Sequence, residues 1–336
     1  YKNMTKIAKK IAKKEHKITL FILIDMIYCG FKYGAGYYDY QEFEFYLLNK
    51  DERKTYLTRT KNNMIIRKYN NKDDFYLLDD KVLFNNKKEE FCMNEIIDPF
   101  KESLFNDKFK DYIKRDYLKV DNFNNFKEFT DKHKEFIAKP IDGEGGKGVM
   151  KYEVDNNVQE LYKVITGLKQ NLVEEVIKQH DEINKLYDGS VNTLRLFTFF
   201  DGNDAYVLNS VFKIGNGGCT DNFSSGSMYT FVNDRGIVIV PAIDQADNVY
   251  EEHPITYKKI IGFKVPLYKD ACDMVIEAAK LVPTIKYIGW DVAITNDGPV
   301  IIEGNSFPGV FQPKPSLSKE HIGLIPKYKK YMDIDL

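Results

Sequence analysis

The sequence predicts an α+β chain whose C-terminal half is built on a mostly antiparallel sheet. Two hairpins and a change of period carry this reading. Val191 to Phe200 and Ala205 to Ile214 are apolar runs on either side of Asp201-Gly202-Asn203-Asp204, a composition that turns one strand back on the next. Tyr287 to Ile294 and Val300 to Glu303 flank a second tight turn, Thr295-Asn296-Asp297-Gly298. Ahead of both, residues 36–70 repeat apolar and aromatic side chains at helical spacing. Helices and strands therefore fall in blocks, unlike the regular alternation of a doubly wound parallel sheet.

The elements follow in order. Residues 1–17 carry Lys2, Lys6, Lys9, Lys10, Lys13, Lys14 and Lys17, with Ile7 and Ile11 four apart. A helix there has a narrow apolar stripe, which favours a solvated basic face over a membrane-surface or partner helix. Ile18 to Cys29 is apolar but short and holds Asp25, so it reads as a buried helix rather than a membrane span. Two or three helices packed by aromatic rings fill 36–70. Residues 71–135 are mixed and polar. The pattern then sharpens: an apolar run Phe136 to Pro140, a glycine-rich loop, a strand-like Val149 to Val154, a helix-spaced Gln159 to Leu168 and a short strand Asn171 to Ile177. Residues 215–227, GNGGCTDNFSSGS, are small and polar, a mobile loop by composition. Asp234-Arg235-Gly236 predicts a further hairpin turn, Asp270 to Leu281 has helical period, and the tail beyond Pro308 reads as irregular.

Bulk properties narrow the class. With 336 residues the chain can bury two or three cores, and 43% hydrophobic and 29% charged residues are ordinary for a globular protein. A net charge of −1 gives no field to draw in nucleic acid. Cys29, Cys92, Cys219 and Cys272 are far apart and form no CxxC pair, which argues against a zinc site or disulfide framework and fits a reduced, cytoplasmic setting. The first residue is Tyr1, so the start is expected to be trimmed or incomplete.

Three segments carry chemistry. In YIGWDVAITNDGPVIIEGNSFPG, Asp291 lies within one strand while Glu303 and Asn305 end the next. Alternation puts Glu303 and Asn305 on one face, and the hairpin brings Asp291 beside them. Two carboxylates and an amide oxygen are a hard donor set suited to Mg²⁺ already bound to phosphates. In FIAKPIDGEGGKGV, Lys139 ends an apolar strand, a costly place unless it meets an anion. Gly143, Gly145, Gly146 and Gly148 follow, with Lys147 among them, and a loop without Cβ atoms can offer N–H groups to phosphates. Neither P-loop nor dinucleotide spacing is met. In NLVEEVIKQHDE, an apolar strand ends in two acids, the form of a linker whose backbone can meet an adenine edge.

The order of these parts resembles the ATP-grasp superfamily, over about residues 75–310. The phrases DDKVLFN, SVNTLRL, KIGNGG, DNFSSG, GWDVAIT and IIEGNSFPG are similar to those of the sugar-transfer-associated group, often linked to cell-surface polysaccharide pathways. The resemblance implies two α+β lobes sandwiching Mg-ATP: a helical region 1–70, a small lobe 71–178 and a large lobe 179–336. It implies that Lys81 and Lys139 meet the phosphates and that the loop Gly143 to Gly148 closes over them. Glu174, Glu175, Val176 and Ile177 become the adenine hinge. Asp181 takes the ribose, with His180 or Glu182 as alternatives. Asp291, Glu303 and Asn305 hold two magnesium ions. Arg195 and Lys213, helped by Asn192, meet the transferred phosphate or the acceptor. The expected reaction joins a carboxylate to an amine through an acyl phosphate, the acceptor side being a uronic acid, amino acid or sugar-linked molecule. The alternative is a kinase acting on a sugar or polyol hydroxyl, with Asp221 as base. No clear βαβ substrate lobe precedes Lys81; the aromatic segment 1–70 stands in its place.

Overall fold

A computed structural model describes residues 2–78, 109–141, 148–217 and 226–335. The first part is helical: α1 (Lys2–Lys14), α2 (Thr19–Tyr33), α3 (Tyr37–Glu42), α4 (Lys50–Thr55) and α5 (Arg59–Tyr69). Local chemistry sets the boundaries. Gly34, at φ 67°, ends α2 in the left-handed region and its amide bonds the Cys29 carbonyl. Asn49 and Glu52 close a reciprocal capping box on α4, and the Thr58 hydroxyl accepts from the Lys61 amide to start α5. Inside the bundle Asp25 takes two bonds from Arg53, at 2.8 and 2.7 Å, and one from the Tyr40 hydroxyl at 2.7 Å. That arrangement neutralises a carboxylate which would otherwise oppose the packing of aromatic rings.

The small sheet contains β1 (Tyr117–Lys119), β2 (Glu135–Lys139), β3 (Met150–Glu153) and β4 (Leu172–Glu175), in the order β1-β4-β2-β3 and antiparallel throughout. Helices α6 (Phe123–Lys132) and α7 (Val158–Gly167) cover one face. Phe126, Phe129, Phe136, Ile165 and Val173 form a core of their own. The large sheet contains β5 (Thr193–Phe200), β6 (Ala205–Ile214), β7 (Met228–Phe231), β8 (Ala242–Ile243), β9 (Val249–Tyr250), β10 (Tyr287–Thr295) and β11 (Gly298–Asn305). Its order among the described residues is β11-β10-β5-β6-β7-β8-β9, again antiparallel. Helix α8 (Asp181–Leu186) leads from the small sheet toward it, and α9 (Tyr268–Lys280) packs against β5 and β6.

The α+β class and both C-terminal hairpins are as the sequence predicts. One segment to which the sequence assigns no elements has them, and one expectation needs correction. Residues 71–135 contain β1 and α6, with Phe123, Phe126 and Phe129 three apart and an Asn122–Asn125 capping box. That periodic signal is real but short, and the polar residues between dilute it. Ile18 to Cys29 is helical but not buried all round. Ile22, Met26 and Cys29 face the core, while Leu20, Phe21, Ile24 and Ile27 are exposed.

The N-terminal helices share one continuous core with the large sheet. Asn70, buried at the end of α5, donates to the carbonyls of Tyr287 and Ser306 and accepts from the Tyr287 amide. Gln312 exchanges two bonds with the backbone of Leu57, and Asn62 donates to the Pro308 carbonyl. Tyr328, in the tail, is fully buried and meets the Tyr287 hydroxyl at 3.1 Å. The helical layer thus fixes the strand ends from which the acidic residues project.

Candidate active site

The hairpin β10–β11 sets Asp291 directly opposite Glu303, and on its other side Asp291 opposes Arg195 of β5. A β-bulge follows Asp291 and shifts the register by one residue. Such an irregularity re-aims side chains at the edge of a site. Arg195 donates from Nε to Asp291 Oδ1 at 2.5 Å and from Nη2 to Oδ2 at 2.6 Å, a bidentate fork. Lys213 of β6 adds a third bond to Oδ2 at 2.8 Å. Arg195 also lies 3.8 Å from Glu303 Oε1, and Asn305 Nδ2 is 3.4 Å from the same oxygen. Burial opposes the charge on Asp291, but Arg195 and Lys213 outweigh it and hold the carboxyl far below the usual carboxylate range. Glu303 is the more open of the pair, with 31% of its side chain exposed against 7% for Asp291.

Gly289 makes this geometry possible. A Cβ there would sit 2.9 Å from the Pro308 side chain and 3.3 Å from Arg195 Cδ. Gly289→Ala is expected to destabilise the protein by about 1–3 kcal/mol, as overpacked cores do, and to displace Arg195. Urea unfolding would measure the loss; an unchanged midpoint would mean that Pro308 moves freely.

A second cluster forms on the small sheet. Lys139, at the end of β2, lies 3.2 Å from Glu174 Oε1 on the adjacent β4. Arg115 Nη2 reaches both Glu174 oxygens at 3.1 Å, and its Nη1 donates to the Ile301 carbonyl of β11 at 2.9 Å. Arg115 therefore ties the two sheets together two residues before Glu303. Sequence reasoning missed it; its only trace was a basic, aromatic segment, FKDYIKRDYL, with no spacing to mark a site. Gln170 was missed as well. Buried, it donates to the Gly148 carbonyl at 2.7 Å and accepts from the Tyr152 hydroxyl at 2.7 Å, which fixes the end of the glycine-rich segment. Gly148 itself has φ 78°, and a Cβ would press on Pro140 at 2.9 Å.

Between the sheets run Glu175, Val176 and Ile177, all partly buried. Asp181 is exposed in the first turn of α8, and its amide bonds Asn296 in the β10–β11 turn. His180 caps that helix through Nδ1, which accepts from the Glu182 amide. Asn192 stands apart from Arg195 and Lys213 in role: it is fully buried and consumed by Gln179, the Tyr187 carbonyl and the Gly215 amide. The expected help to the phosphate is corrected to a structural knot. The same knot includes His253, stacked on Tyr187 at 4.7 Å and bonded to the Gly215 carbonyl. Burial holds its imidazole below the ordinary range. Lys81, Gly143, Gly145, Gly146, Lys147 and Asp221 lie outside the described residues.

The arrangement gathers two cations, two carboxylates and an amide on one face of an antiparallel sheet, with a lysine–glutamate–arginine cluster bridged to it. Half of the 336-residue chain, residues 150–318, matches the sugar-transfer associated ATP-grasp family. The chain belongs to that family. The match spans the large-sheet cluster in full, Arg195, Lys213, Asp291, Glu303 and Asn305 included. Residues 102–191, holding Arg115, Lys139 and Glu174, also match the ATP-grasp domain of prokaryotic glutathione synthetase. The ATP-grasp chain matches no curated protein.

Solved structures similar to it include the ATP-grasp ligase PsnB with minimal precursor, Mg and ADP, at 13% identity over 62% of this chain and 50% of that one, with a TM-score of 0.36. D-alanyl-alanine synthetase A from Vibrio cholerae shares 14% identity over 71% and 60%, at 0.40. D-alanine–D-alanine ligase from Bacillus anthracis complexed with ATP shares 14% over 68% and 63%, at 0.39. This ATP-grasp chain thus spans less than two thirds of each.

Proposed function

We propose that the chain is an ATP-dependent ligase that activates a substrate carboxylate as an acyl phosphate and joins it to an amine, within cell-surface polysaccharide or related small-molecule biosynthesis. The observation that carries this reading is the convergence of Asp291, Glu303, Arg195 and Lys213 on one sheet face. The small lobe, 71–178, covers the nucleotide from one side and the large lobe, 179–336, bears the metal site.

Lys139 and Lys81 bind phosphate oxygens, and the loop Gly143 to Gly148, with Lys147, closes over them. Glu174, Glu175, Val176 and Ile177 hold the adenine, and Asp181 the ribose. Arg195 and Lys213 neutralise the phosphoryl group in flight. The substrate carboxylate attacks the γ-phosphorus, ADP leaves, and the amine then displaces phosphate to leave an amide. Positioning and charge neutralisation carry the rate, and no protein nucleophile takes part.

Magnesium fits the donor chemistry of Asp291, Glu303 and Asn305, all hard oxygens, and when bound would supply charge neutralisation to the phosphates. Among the described residues no group of three or more His, Cys, Asp or Glu is placed to hold a metal, so the set depends on the Asn305 amide. Asn305 lies beside both Glu303 and the Gly289 carbonyl, where its amide can serve that set.

The test is ADP formation with Mg-ATP against uronic acids, amino acids and sugar phosphates, each with and without an added amine. Free phosphate appearing only with both substrates is expected. A single acceptor that gives ADP and a stable phosphorylated product would sink the ligase reading.

A further inference from the structure

The helix α2 is apolar on both sides, yet only one side is covered. Ile22, Met26, Cys29 and Tyr33 point into the core. On the reverse, Leu20, Phe21, Ile24, Ile27, Tyr28 and Phe31 are exposed, Phe31 by 90%. At 100° per residue these six fall within an arc of about 120° that contains no charged residue. The one acid of the helix, Asp25, lies off that arc and is closed against Arg53. A contiguous exposed face of this kind on a folded protein marks a contact site.

The neighbouring helix identifies the partner. Helix α1 packs along α2 and presents Lys2, Lys6, Lys9 and Lys13, all exposed. None of the four forms an ion pair among the described residues, whereas Lys10 and Lys14 turn toward Asp247 and Glu44. An anionic bilayer offers both complements at once, headgroups for the lysines and acyl chains for the apolar arc. The 15 residues of α2 span about 22 Å, too short to cross a bilayer and suited to lying in its surface. Among the described residues no helix is long and apolar enough to cross a membrane.

We infer that the α1–α2 hairpin is a peripheral docking surface for anionic lipid bilayers. The inference stands apart from the nucleotide reading, because none of these residues belongs to the candidate active site. It would bring the enzyme to substrates or products held at a membrane.

Vesicle flotation of the full chain tests it. Binding is expected to vesicles of phosphatidylcholine with phosphatidylglycerol, and to fall with added salt and with phosphatidylcholine alone. The pair Phe21→Ser with Phe31→Ser should bind about tenfold more weakly or worse, since each removes a large apolar side chain from the lipid. The pair Lys6→Glu with Lys9→Glu should abolish the preference for anionic vesicles. Both pairs alter exposed positions, and an unchanged thermal midpoint would verify folding. Failure of the parent chain to float with anionic vesicles overturns the inference, as does equal binding by either variant. A parent chain that ignores vesicles but sediments as a dimer, made monomeric by Phe21→Ser with Phe31→Ser, also overturns it and assigns the face to self-association.

Discussion

Asp291→Asn is expected to lower ADP formation by about 10²–10³-fold and to weaken the fold by about 3–5 kcal/mol. Both effects come from one carboxylate. Arg195 and Lys213 are nearly buried and reach Asp291 with three bonds. An amide leaves two cations side by side without a counter-charge. The two losses separate by experiment: urea unfolding reports stability, and turnover measured well below the unfolding midpoint reports chemistry. A pH series adds an independent check. The carboxyl is held below its unfolded value. Its stabilisation is therefore fully present above about pH 4, the unfolded range, and drains away as pH falls below it. The acid limb of the stability curve should flatten in Asp291→Asn. An acid limb identical in parent and variant would show that Asp291 is not the group being protonated.

Arg115→Met should cost nearly as much stability, about 3 kcal/mol, although its position carries no recognisable motif. The methionine keeps the apolar volume but strips Glu174 of two bonds and Ile301 of one. Glu174 then retains Lys139 within the buried cluster. A double-mutant cycle with Glu174→Gln measures the coupling. In the Glu174→Gln background the cost of Arg115→Met should shrink by at least about 1 kcal/mol. Strict additivity would mean that the guanidinium acts through Ile301 alone. Because the same side chain joins the small sheet to β11, the Arg115→Met protein is also expected to lose protection from amide exchange in the small lobe first.

The large-sheet cluster was legible because one strand alternation and one tight turn decide it. Glu303 and Asn305 share a face by period alone, and a hairpin of this length leaves Asp291 few other partners. Arg195 and Lys213 came from a resemblance, and their contacts with Asp291 follow from strand order, which a sequence does not state. Arg115 and Gln170 were illegible for a different reason. Each acts through a partner far along the chain, Ile301 and Gly148 respectively, and nothing in the residues around them marks that destination. Asn192 misled because it stands three residues before Arg195, while its amide is used up by Gln179 and by the backbone of Tyr187 and Gly215. Helix α2 misled because mean apolarity does not report which side is covered; only the packing of α1 and α3 against it does.

The bonds from Leu57 to Gln312, from Asn62 to Pro308 and from Asn70 to Tyr287 and Ser306 join stretches more than two hundred residues apart. During synthesis these helices emerge well before the groups that complete their bonding. Loops of that length close slowly, and their entropy is spent before any contact rewards it. The helical bundle therefore stays incompletely bonded, with apolar surface uncovered, until β10, β11 and the segment after them have been made.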